Sequence, residues 1–176
     1  NAEFVSIEEE MARIVPIVDL LVQRFPNILI SIDTFRSQVA EACIQKGAAL
    51  INDISAGKLD DAMLGVVAKY NVPYIMMHMR GTPQTMSTLT QYEDVVKEVL
   101  LYFSERIAVA RSLGINDLIV DPGFGFAKDT AQNFELFHSL PYFQLFAKSF
   151  QSHLGSKLPL ANPFFGSCRE RCQRID

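Results

Sequence analysis

The chain is short of the residues that would place it in several functional classes. It has three cysteines in 176 residues, an odd number that builds no disulfide framework and suits a reducing compartment. Lys and Arg total 16 against 20 Asp and Glu, a net charge of −4. With no long basic run, neither nucleic acid nor an anionic membrane surface is an expected partner. No stretch approaches the ~20 uninterrupted apolar residues that a membrane-crossing helix needs. The opening, with Glu3 and then Glu8, Glu9 and Glu10, is unlike a signal or transit peptide. Cytoplasm or an organelle matrix is therefore the expected location. The first residue is Asn rather than Met, so a fragment or a processed product is expected.

Sites with recognisable spacing are also scarce. The histidines and isolated acids do not fall at metal-ligand intervals, and no serine or cysteine has the surroundings of an activated nucleophile. Cys168 and Cys172 are four apart with His153 upstream, but no second ligand pair accompanies them, and Cys43 sits in a helical pattern as a small core residue. The glycine fingerprint of a dinucleotide fold is missing.

What is present is an apolar pattern sufficient for one domain: 49% hydrophobic and 20% charged residues read as globular. Ser6 followed by Glu9 is a capping box, and Met11, Ile14, Val15, Val18, Leu21 and Val22 continue at helical spacing to Phe25. Strands are predicted over 28–32 (apolar on both faces), 49–51, 73–77 and 118–120, with helices over 37–46, 59–70, 92–113 and 131–140. Such alternation means parallel β/α construction, as an open doubly wound sheet or as part of a (β/α)8 barrel; period alone does not separate the two. Residues 1–140 form the compact unit. Residues 141–176, interrupted by Pro159, Pro163 and Gly166, are expected to be an irregular, poorly ordered tail.

Each predicted strand ends at its carboxyl side in a polar or polarisable group: Asp33; Asn52 and Asp53; Met77 or His78; and Asp121. In a parallel sheet these ends face one way, so the groups would line a common pocket. Each has a plainer reading. Asp33 and Asp53 could cap the turns that follow them, Asn52 could form an Asx turn, His78 could bond within its loop, and the methionines could fill the core. After Asp121, VDPGFGFAKD supplies Pro122 and two glycines for a tight loop and two phenylalanines to wall a flat ligand. Two carboxylates and a carboxamide suit a planar heterocycle presenting several N–H donors, such as a 2-amino-4-oxo pyrimidine ring.

Three stretches, ISIDTFRSQVAEACIQKGAALINDISAG from Ile30, VPYIMMHMRGTPQTM from Val72 and VDPGFGFAKDTAQNFELF from Val120, together resemble the dihydropteroate synthases of the pterin-binding TIM-barrel family. The likeness covers about residues 5 to 140. It implies a partial (β/α)8 TIM barrel of about four β/α units. The reaction it implies joins para-aminobenzoate to 6-hydroxymethyl-7,8-dihydropterin diphosphate, giving dihydropteroate and pyrophosphate with magnesium present. Asp33 then matches the acid that contacts pterin and favours a cationic intermediate, Asn52 the asparagine on the pterin ring, Asp121 the acid on its pyrimidine edge, Met77 a methionine of the pocket floor and Phe126 the wall beside the second substrate. A homodimer is also implied.

The family's magnesium asparagine and its Ser-Thr-Arg-Pro loop would lie before Asn1. Its Ser-Arg-Lys motif does not align with Lys157, Arg169 or Arg171, and the last strands, with the Arg and His for the diphosphate, are missing. Little or no synthase activity is therefore expected of the chain alone. The alternatives are a corrinoid-type pterin-dependent methyltransferase and a non-catalytic pterin-binding chain.

Overall fold

The computed structural model describes residues 5–82, 85 and 89–147. Helix α1 (Ile7–Arg24) is followed by β1 (Ser31–Asp33), α2 (Ser37–Gln45), β2 (Leu50–Asp53), α3 (Met63–Tyr70), β3 (Tyr74–Met77), α4 (Val95–Ser112), β4 (Leu118–Asp121), α5 (Thr130–His138) and α6 (Leu140–Ala147). The four strands are parallel and lie in the order β1-β2-β3-β4. A doubly wound sheet reverses its strand order; this one advances in one direction, so right-handed connections place every linking helix on the same face. The fold is an open segment of a β/α barrel.

Strand alternation divides the sheet cleanly. Ile32, Ile51, Tyr74, Met76 and Leu118 face the helices and pack with Val39, Val67, Val99 and Phe103 in the buried core. Each fully buried apolar side chain there contributes about 1.5–3 kcal/mol. The other face carries Ser31, Asp33, Leu50, Asn52, Ile75, Met77, Ile119 and Asp121, of which Ser31 and Asp33 are exposed, Met77 is buried and the others are half-buried.

Local chemistry sets where the helices begin. Ser6 accepts from Glu9 N at 3.1 Å to start α1. Asp94 accepts from Lys97 N to start α4, and Asp129 with Gln132 forms a full capping box on α5. Helix α3 begins at Met63, later than the predicted 59. Asp60 instead turns the preceding chain, accepting from Ala62 N at 2.9 Å and from Ser37 N, at the start of α2, at 2.7 Å.

The strand predicted over 28–32 is corrected. Ile28 and Leu29 are 39% and 51% exposed and precede the ladder, which is entered when Ile30 O accepts from Ala49 N at 2.8 Å. Among the described residues β1 has β2 as its one neighbour, so nothing buries its second edge. Helix α6 lies where the tail was expected to begin. Its Phe143 is buried against Phe103, ring centroids 6.1 Å apart, and Pro141 occupies the first turn, where its missing N–H leaves no helical bond unmade. Residues from 148 onward lie outside those described, as do His153, Lys157, Cys168, Arg169, Arg171 and Cys172.

Candidate functional site

Register brings the predicted residues onto one face at the carboxyl edge of the sheet. Asp33 pairs with Asn52 across β1 and β2, and Met77 with Asp121 across β3 and β4. The ladder runs one residue further at both places, through Thr34 N to Asn52 O at 3.0 Å and His78 N to Asp121 O at 2.9 Å. These bonds hold the bases of the site side chains on rigid backbone. Helix α1 reinforces the edge, because Glu10 accepts from the Thr34 hydroxyl at 2.8 Å and from the buried Arg36 guanidinium at 2.5 Å.

Asp33 is solvent-facing, and the amide at the start of α2, Ser37 N, is taken by Asp60 instead. Desolvation raises its carboxyl above the usual range, Asn52 draws it back, and the nearby charges of Asp53 and Glu10 raise it further. An acid so placed gains most by facing a cation. Asn52, beside it, is half-buried.

Asp53 separates from this group, as the plainer reading of it anticipated. It is fully buried on the helix side, its Oδ1 accepting from the Ser55 amide and hydroxyl and its Oδ2 from Gly57 N and the Tyr74 hydroxyl. Of the two residues ending β3, Met77 belongs to the site face, packed beside Gly123. His78, buried like Met77, turns instead toward the Tyr102 ring and Lys128.

The segment after β4 is a wound loop. Asp121 is half-buried, and its Oδ1 accepts from Gly123 N at 2.9 Å. Gly123 has φ +70°, and a Cβ there would stand 2.6 Å from His78 O; only glycine fits that approach. Phe126 N closes the turn on Gly123 O at 3.1 Å, leaving Phe124 and Phe126 on the surface at 38% and 39% exposure.

Sequence reasoning missed Lys128. It is 7% exposed, and its Nζ contacts Gly123 O at 3.0 Å, Phe126 O at 2.9 Å and His78 Nδ1 at 3.1 Å. Burial pushes the ammonium down to about 8, with the Asp121 charge pulling the other way. Burial and the nearby Lys128, Lys58 and Arg80 charges push His78 down to about 3, so its imidazole is neutral and Nδ1 is free to accept. A lysine just before a helix cap reads as a surface residue. The available signal was a glycine-containing loop, in which the carbonyls of Gly123 and Phe126 take a donor from Lys128.

A cavity of about 350 Å3 lies next to this cluster, lined by Lys58, His78, Arg80, Tyr92, Glu98 and Tyr102. It does not include Asp33, Asn52 or Asp121, which line an open surface. Among the described residues no group of three or more His, Cys, Asp or Glu is arranged to hold a metal ion. No helix among them is long and apolar enough to cross a membrane.

The fold and site define a β/α-barrel segment whose strand ends place two acids and an amide on one face. A family model described as pterin binding enzyme matches residues 1–157. The dihydropteroate synthase of Synechocystis sp. is 44% identical over 143 residues, covering 80% of this chain and 49% of the relative. That of Escherichia coli is 40% identical over 148 residues, covering 83% and 52%. Among solved structures, dihydropteroate synthase from Xanthomonas albilineans in complex with 7,8-dihydropteroate superimposes with a TM-score of 0.73 at 37% identity, covering 81% of this chain and 52% of that one. The chain belongs to the pterin-binding enzyme family. It spans about half the length of the curated relatives it matches.

Proposed function

We propose that the protein carrying this chain is a dihydropteroate synthase, condensing para-aminobenzoate with 6-hydroxymethyl-7,8-dihydropterin diphosphate to give dihydropteroate and pyrophosphate. The observation that carries this reading is the placement of Asp33, Asn52, Met77 and Asp121 on one sheet face. The resemblance of the three sequence stretches and the likeness to synthases at 40–44% identity support it.

In this reading Asp121 accepts from the N–H groups of the pterin pyrimidine edge, Asn52 both accepts and donates on the ring, and Met77 floors it. The carbon–oxygen bond to the diphosphate breaks with both electrons leaving on oxygen. The resulting pterin cation is held by the fixed charges of Asp33 and Asp121, which cost no reorganisation when the charge develops. The aniline nitrogen of para-aminobenzoate, lying against Phe126, then forms the new carbon–nitrogen bond and loses a proton. Magnesium, which the resemblance implies, would screen the diphosphate; the described residues do not supply its ligands.

The test is turnover of both substrates by the full-length protein, with dihydropteroate and pyrophosphate appearing in equal amounts. Methyl transfer from a methylated folate without dihydropteroate would sink this reading in favour of a corrinoid-type methyltransferase. Pterin binding with no turnover of either kind would leave a non-catalytic pterin-binding protein.

A further inference from the structure

Lys128 lies behind the ligand face and is fully engaged. A lysine ammonium has three N–H donors, and here three acceptors surround it: the carbonyls of Gly123 and Phe126 and Nδ1 of His78. Two of these belong to the loop after β4 and the third follows the end of β3, so one side chain bolts the loop to the sheet.

The loop needs such a fastening. Gly123 and Gly125 have φ +70° and +82°, and Ala127, which has a Cβ, is at +52°, a left-handed conformation that strains a residue other than glycine. The loop is also pressed close to the sheet, as the short approach of Gly123 to His78 O requires. The same turn holds Asp121, through Gly123 N, and presents Phe126.

We propose that Lys128 is a positioning residue: its three-way clamp sets the place of the Asp121 carboxylate and of the Phe126 ring, and through them the recognition of pterin and of the second substrate. The inference rests on the pterin-site reading above. It assigns a task to a residue that touches neither reacting group.

The test uses the full-length protein with Lys128→Met and Lys128→Arg. Arginine keeps the charge, but its planar fork does not match three converging acceptors, so both variants should bind 6-hydroxymethyl-7,8-dihydropterin at least tenfold more weakly and raise KM for para-aminobenzoate more than they lower kcat. Amide exchange at Gly123 and Phe126 should quicken at least tenfold, with the amides of β2 and β3 unchanged. A lower melting temperature with unaltered ligand constants would show a merely structural lysine and overturn the proposal. Should Lys128→Met fail to fold, His78→Phe, which removes one acceptor and leaves both carbonyls, carries the same test, and unchanged constants there count equally against it. Absence of pterin binding by the wild type overturns the site reading and the inference together, whereas wild-type binding with indifferent variants sinks the inference alone.

Discussion

The Tyr74 hydroxyl donates to Asp53 Oδ2 at 2.5 Å in the fully buried layer behind the site. Burial and the Asp53 charge raise the phenol far above its ordinary range, so it stays a donor at any pH the protein meets. Removing it in Tyr74→Phe leaves a buried carboxylate one donor short, which should lower stability by about 2 kcal/mol, as for other bonds to charged groups. Urea unfolding measures this. Pterin affinity should be unchanged, because Asp53 faces away from the ligand surface; a loss in affinity matching the loss in stability would contradict that division of the sheet.

Asp121→Asn keeps the shape of the side chain and removes its charge. Pterin binding to the full-length protein should weaken by about 2 kcal/mol, the magnitude of a charge-assisted bond. Calorimetry would decide the point. Unaltered affinity would make Asp121 only the anchor of its own loop, through Gly123 N.

Asp33→Ala separates binding from catalysis. If the acid faces a developing cation, kcat should fall more than ground-state pterin affinity. Equal losses in both would point to plain binding.

His78 makes stability depend on pH in a definite direction. Its folded value, about 3, lies below the ordinary histidine value of 6.5, so between these limits the unfolded chain takes up a proton that the folded chain refuses. The contribution is complete above about pH 6.5 and is lost progressively as pH falls toward 3, with a slope of at most ~1.4 kcal/mol per pH unit. Unfolding free energies at pH 7 and pH 5 should therefore differ more in the wild type than in His78→Gln. Equal differences would mean that the imidazole is not held neutral.

Gly123→Ala should be poorly tolerated. A Cβ at this position would stand 2.6 Å from a backbone oxygen at φ +70°, so the loop must shift and carry Asp121 with it. Thermal unfolding should show a loss of about 1–3 kcal/mol, accompanied by weaker pterin binding. A stable variant with full affinity would show that the loop has room to spare.

Much of the scaffold was legible from apolar period, and the start of the first helix from Ser6, which satisfies the Glu9 amide by a local bond three residues away. The expected strand 28–32 failed at Ile28 and Leu29, since apolar character does not reveal whether a partner strand lies alongside. Helix α6 was missed because Pro141 reads as a break, although the first turn of a helix tolerates it.

For the site, residue types and their place at strand ends pointed to Asp33, Asn52, Met77 and Asp121, since parallel strands present their carboxyl ends together. Sequence by itself determined that set and the need for glycine in the loop that follows. Only the tertiary structure decided that the strands run in one sequential order, that Asp53 turns inward while its neighbour Asn52 turns outward, and that Lys128 reaches back to His78. Those outcomes depend on strand register and on contacts up to fifty residues apart, which local propensity does not encode.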